Sequence, residues 1–172
     1  PGKPNVEVWD TVFGMSMDEK AYLYAIPYEY FEKYSVRRYG FHGTSHKFVS
    51  GEAIKCLNLD PEKAKVIVCH LGNGSSVSAS IGGKCVDTSM GLTPLEGLMM
   101  GTRSGNIDPA IIPYLMRKGE LTTADDIDKM MNKKSGLLGL AGDSDMRNVT
   151  ARYDAGEEDA KLAIEMWAYV LK

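Results

Sequence analysis

Val66-Ile67-Val68-Cys69-His70-Leu71-Gly72-Asn73-Gly74-Ser75-Ser76, running on into Val77-Ser78-Ala79-Ser80-Ile81-Gly82-Gly83-Lys84, decides the fold of this chain. An apolar, β-branched run meets a turn of small residues and leaves it as a second strand. The pattern predicts strands from Lys65 to Leu71, Ser75 to Ile81 and Lys84 to Thr88, the last two joined by the tight-hairpin pair Gly82-Gly83. Backbone N–H groups from Asn73 to Ser76 can approach an anion closely at such a turn. Asn73-Gly74 is equally the commonest signal of a plain hairpin, so this segment alone leaves both readings open.

Working outward, the preceding residues predict a short strand from Val6 to Thr11 carrying Asp10 near its end. A capping box follows at Ser16 to Glu19, then a tyrosine-rich packing stretch broken by Pro27. Thr44 or Ser45 is placed to cap a helix whose core face holds Phe48, Val49, Ala53, Cys56 and Leu57. Beyond the strands, Asp108-Pro109 predicts a helix start with Ile111, Ile112, Leu115 and Met116 buried. Thr123 and Asp126 start another helix, which closes near Gly136. Ala160, Ala163, Ile164, Trp167, Val170 and Leu171 share one face of a last helix.

The 172 residues, 44% hydrophobic and 25% charged, describe ordinary globular material, and a net charge of -3 argues against a general nucleic-acid surface. No apolar run approaches the ~20 residues of a membrane span and no signal-peptide pattern opens the chain, so a cytoplasmic protein is expected. Cys56, Cys69 and Cys85 lack zinc-like spacing and read as reduced, partly buried small hydrophobes. The opening Pro1-Gly2-Lys3-Pro4 and a last helix without a stop signal predict that the chain is a piece of a longer one.

Asp10, His42, His46, His70, Arg103, Asp145 and Arg147 stand out as polar groups, five of them beside small residues in predicted loops. Singly, each is accounted for by ordinary structure. Together they suggest phosphoryl transfer, which needs a nest around phosphates, fixed donors around the moving group and an organising carboxylate.

Several blocks in order carry a closer resemblance: Trp9-Asp10-Thr11, residues 39–46 (Tyr-Gly-Phe-His-Gly-Thr-Ser-His), residues 70–74, residues 87–91, the run from Thr93 to Gly105, and residues 134–139. They resemble the acetate kinase family over nearly the whole chain. The resemblance implies an α/β, ribonuclease-H-like fold of the acetate and sugar kinase, Hsp70 and actin superfamily, a mixed sheet with flanking helices whose second domain is incomplete. Residues 1–64 would be an inter-domain segment with helices, and residues 65–172 the first part of the nucleotide-binding domain. It further implies reversible transfer of the ATP γ-phosphoryl group to acetate, giving acetyl phosphate and ADP, with Mg2+, by a homodimer that binds neither nucleic acid nor membrane. A propionate kinase and a non-catalytic nucleotide-binding or dimerisation module are the alternatives.

By the same resemblance, Asp10, His42 and Arg103 would be catalytic, Asp10 orienting the acyl carboxylate and the other two holding the transferring phosphoryl group. His70, Leu71, Gly72, Asn73 and Gly74, with Asp145, Met146 and Arg147, would contact nucleotide, and Phe41 and Pro94 would line the acetate methyl pocket. Asp10, His42 and Arg103 are expected to converge opposite the amides near Gly74. No metal ligand is assigned, since the family's Mg2+-holding Glu, its Asn/Ser/Lys phosphate loop, its substrate Arg and its adenosine-binding segment fall outside these residues. Trp9 and Gly14 stand where the family usually has Phe and His, which questions the packing near Asp10.

Overall fold

The structure is a computed structural model that describes residues 2–172. The chain forms two compact units. The first holds the residues up to His70 together with Ser76–Pro94, and the second holds Leu71–Ser75 and Leu95–Lys172.

In the first unit the expected strand from Val6 to Thr11 does not form, and Val6, Val8 and Trp9 are exposed. An alternating run becomes a strand only where a sheet edge receives its N–H and C=O groups. The chain instead makes one 3-10 turn, Val12–Ser16, which buries Phe13, along with the following Met17, against Cys85. Ser16 Oγ donates to the carbonyls of Phe13 and Cys85 at 3.2 and 3.0 Å. That engagement removes the predicted capping box, so helix α1, Glu19–Tyr22, starts at Asp18 without a side-chain cap. Helix α2, Glu29–Tyr34, follows Pro27, and Phe31 packs against Tyr22 and Tyr28 with ring centroids 5.8 and 5.5 Å apart.

Helix α3, Gly43–Cys56, departs furthest from expectation. Phe48, Val49 and Leu57 are exposed, while His46, Ser50 and Ile54, spaced four apart on one stripe, are buried. Cys56 and Cys69 are likewise exposed rather than partly buried; Cys85 is buried, and all three are free thiols.

Strands β1 (Lys65–Leu71), β2 (Ser75–Ile81) and β3 (Lys84–Thr88) form where the sequence places them, in the order β1-β2-β3, with β2 and β3 antiparallel. Gly82 and Gly83 have φ of +56° and +72°, the pair of left-handed residues that a tight hairpin turn requires. β2 repeats the inversion of α3: Ser76, Ser78 and Ser80 are buried, whereas Val77 and Ala79 are half-buried and Ile81 is exposed. A polar seam therefore runs through this unit, and every hydroxyl in it needs a partner.

The second unit carries helices α4 (Ile111–Arg117), α5 (Ala124–Lys133), α6 (Gly136–Ala141), α7 (Met146–Asp154) and α8 (Glu158–Leu171). Its core is Met99, Leu137, Ala141, Val149, Ala160 and Ala163, flanked by Ile164 and Trp167, so that four positions of the face expected on α8 pack there while Val170 is exposed. The Thr123–Asp126 capping box is present on α5. α4 starts beyond Asp108-Pro109, because Asp108 caps the turn before it by accepting from Ala110 N at 2.9 Å. Its predicted core face is not buried, with Ile111 and Met116 exposed. Gly136, rather than ending α5, opens α6. Among the described residues no helix is long and apolar enough to cross a membrane.

Candidate functional site

Within the first unit, the start of α3 gathers the polar side chains. His42 is the N-cap residue and sits in the left-handed region at φ +56°, so neither Thr44 nor Ser45 caps the helix. Asp10 does so from outside: its Oδ2 accepts from His42 N at 2.8 Å and its backbone carbonyl accepts from Gly43 N at 2.9 Å. A carboxylate there also meets the positive end of the helix. The approach to His42 is fixed by Tyr39 N and Gly40 N, which both donate to Gly91 O.

Three histidines meet around two serines of β2. His42 stacks on His70 with centroids 4.0 Å apart and planes 19° from parallel. His42 Nδ1 lies 2.8 Å from Ser76 Oγ, and His46 Nε2 lies 2.7 Å from the same oxygen. His46 Nδ1 lies 2.9 Å from Ser78 Oγ, and His70 Nδ1 lies 3.0 Å from Ser45 Oγ. Burial, reinforced by the neighbouring His42 and His70 and partly opposed by Asp10, pushes the His46 pKa down to about 4. His46 is therefore a neutral imidazole at pH 7.

The sequence marks His46 as one of the conspicuous polar groups without a role of its own, and gives the hydroxyls of Ser76 and Ser78 none. The signal that points to them is the alternation of Ser76, Ser78 and Ser80 along a strand whose intervening residues are apolar. Gly14 is buried, and a Cβ there would lie 1.8 Å from Tyr39 O, so the position accepts no side chain; Trp9 beside Asp10 is exposed. Phe41, directly before His42, and Pro94 are both half-buried.

The second unit holds a cavity of about 470 Å³ lined by Leu71, Gly72 and Asn73 from one segment and by Asp145, Met146 and Arg147 from another. Of the residues that the resemblance assigns to nucleotide, Leu71 to Asn73 and Asp145 to Arg147 thus face one space, whereas His70 and Gly74 do not line it. Gly101 makes the meeting possible, because a Cβ there would stand 2.4 Å from Asn73 Oδ1 and 2.9 Å from Ser144 O. Asp145 Oδ1 accepts from Arg147 N at 2.9 Å and from its Nε at 3.0 Å. The Arg147 guanidinium, with that amide, holds the Asp145 carboxyl at about 2.

Arg103 is half-buried in the same unit, on a loop tied to α5 and α6. Ser104 N donates to Met131 O at 2.9 Å, Ser135 N to Thr102 O at 3.0 Å and Leu137 N to Met100 O at 3.0 Å. The structure thus brings Asp10, His42 and His70 together in one unit and places Leu71 to Gly74, Arg103 and Asp145 to Arg147 in the other. Among the described residues no group of three or more His, Cys, Asp or Glu is arranged to hold a metal ion.

The α/β architecture, with its small sheet and flanking helices, is that of the acetate and sugar kinase, Hsp70 and actin class. The family model for the acetokinase family matches residues 1–172, and the chain belongs to that family. It is 56% identical over its full length to an acetate kinase of Campylobacter fetus and 58% identical over 98% of its length to one of Agathobacter rectalis. It spans 43% of the length of each of those relatives. Among solved structures, a Porphyromonas gingivalis acetate kinase superposes on 95% of the chain with a TM-score of 0.91 at 48% identity. A Francisella tularensis propionate kinase does so on 95% with 0.91 at 51% identity. The chain covers 41% and 42% of those two structures.

Proposed function

We propose that the full polypeptide carrying these residues transfers the γ-phosphoryl group of ATP to acetate, reversibly, giving acetyl phosphate and ADP. The observation that supports it most is the juxtaposition of Asp10, His42 and His70 at one helix start, in a chain of this family. Acetate is already ionised at neutral pH, so no general base is needed to make it a nucleophile. Positioning and charge stabilisation carry the rate instead. Asp10 orients the acyl carboxylate, while His42 and Arg103 donate hydrogen bonds to the equatorial oxygens as charge moves across them. The cavity at Gly72, Asn73 and Arg147 holds the nucleotide phosphates, and Phe41 and Pro94 limit the acyl group. Residues 65–172 then begin the nucleotide-binding domain, and the enzyme works as a homodimer with Mg2+ bound to its nucleotide.

These roles require His42 and Arg103 to address the same phosphoryl group. Arg103→Ala should lower turnover roughly 10²-fold or more. Paired with His42→Ala, it should lose far less than the product of the two single effects. Simple multiplication of the effects would refute a shared target. The 172-residue chain by itself is expected to turn over little; robust acetyl phosphate formation by it would overturn the assignment of essential groups to residues outside it.

Propionate is the second candidate acceptor, favoured by the equal TM-score of the propionate kinase structure. A kcat/KM series over acetate, propionate and butyrate decides between them, since one methylene in an apolar pocket changes the ratio about 10- to 200-fold.

A further inference from the structure

We infer that Ser78, His46 and Ser76 form a one-way hydrogen-bond relay that holds His42 in the tautomer with its hydrogen on Nε2. The tautomer follows from counting hydrogens in the polar seam; its consequence for catalysis rests on the role proposed for His42.

The count starts at the buried end. Ser78 is 2% exposed, and among the described residues its hydroxyl has a single partner, His46 Nδ1 at 2.9 Å. A hydroxyl has one hydrogen to give, and a buried hydrogen left without an acceptor is costly. Ser78 therefore donates to His46 Nδ1. His46, 1% exposed and neutral, has one ring hydrogen, which must then lie on Nε2. That nitrogen is 2.7 Å from Ser76 Oγ and donates to it.

Ser76 is fully buried and, among the described residues, has only His46 and His42 as side-chain hydrogen-bond partners. Having accepted from one, it gives its own hydrogen to the other, at His42 Nδ1, 2.8 Å away. With Nδ1 accepting, the ring hydrogen of a neutral His42 stays on Nε2. Running the relay backwards strands the Ser78 hydrogen, and a charged His46 strands it as well. His42 can then donate to a phosphoryl oxygen through Nε2 without first becoming an imidazolium. His46 is a positioning residue, since it acts through Ser76 and touches no reacting atom.

The test is 15N–1H correlation spectroscopy of the histidine rings in the full 172-residue chain at pH 7.5. Expected for the wild type are a hydrogen-free Nδ1 and a protonated Nε2 on both His42 and His46. A hydrogen on His42 Nδ1 overturns the relay. His46→Gln retains an amide donor for Ser76 and an acceptor for Ser78, so His42 should keep its tautomer, whereas His46→Met should give a mixture. A mixture in His46→Gln, or a single Nε2–H form in His46→Met, also overturns it. In the full polypeptide, His46→Met should lower kcat about tenfold with KM for ATP changed less than about twofold, and His46→Gln should recover part of the loss. A spectrum as expected beside an unchanged kcat would sustain the relay and reject the role given to His42.

Discussion

The Asp10 carboxylate accepts a 2.8 Å hydrogen bond from the backbone N–H of His42, 32 residues further along the chain. The first turn of α3 is thus closed by a residue outside the helix, while His42 itself occupies a left-handed conformation that brings its ring to Ser76 and His70. One carboxylate serves both the helix end and, in the proposed reaction, the acyl group.

Asp10→Ala should cost about 0.5–2 kcal/mol of stability, as loss of a helix cap does. Asp10→Asn keeps an acceptor and should regain most of that while leaving turnover low. Urea melts and initial rates check the pair; an alanine variant as stable as the parent would remove Asp10 from the cap.

Gly136→Ala should loosen the Arg103 loop. Gly136 has φ +64°, and a Cβ there would lie 2.0 Å from Met100 O and 2.8 Å from Arg103 O. The left-handed conformation alone costs about 1–3 kcal/mol for a side chain, and the carbonyls that bind α6 would have to retreat. A lowered melting temperature with turnover lost at 25 °C is expected; a melting curve identical to the parent's contradicts the tight fit.

Gly101→Ala tests the cavity. Its methyl would collide with Asn73 Oδ1 at 2.4 Å, pushing the Gly72-Asn73 segment away from Arg147. ATP affinity, read by calorimetry on the chain, should fall roughly tenfold or more if nucleotide phosphates sit there. Unaltered affinity would move the nucleotide elsewhere.

Stability should drop as pH falls from about 6.5 to about 4. His46 takes up a proton at about 4 in the folded chain but at its ordinary 6.5 when unfolded. Between those values the unfolded chain holds more protons, so stability rises with pH across the window and is complete above it. Denaturant midpoints at pH 7.5, 5.5 and 4.5 measure the slope, and His46→Gln should flatten it. The depressed carboxyls of Asp126 and Asp145 lose their contribution only at lower pH, below about 4.

Where one residue's neighbours in sequence are also its partners, the sequence was legible. Gly82-Gly83 announces its turn, Thr123 and Asp126 close their own box, and Ala160 and Ala163 mark the packed side of α8. Three of the failures involve a partner, found or missing, far along the chain. Ser16 spends its hydroxyl on Cys85, Asp10 replaces Thr44 and Ser45 as the cap, and Val6 to Thr11 finds no sheet edge. In α3 and β2, apolar periodicity points outward because the unit's interior there is a hydrogen-bonded layer. For the same reason the alternation of Ser76 and Ser78 is only a hint in the sequence, and their partners His42 and His46 emerge when hydroxyl contacts are traced in three dimensions.

The pairing of β2 with β3 runs Ser78 to Thr88 and Ala79 to Asp87, then Ser80 to Cys85, leaving Val86 unmatched. That surplus residue lets Cys85 and Thr88, three positions apart, both turn inward, which an unbroken strand forbids. Cys85 anchors the turn that follows Asp10, and Thr88 receives Arg38 on its carbonyl at 2.7 Å and lies against Gly40 on the way to His42. Val86 is thus a spacer: excising it would shift the separation of Asp10 and His42 while leaving both side chains, and every residue that touches them, chemically intact.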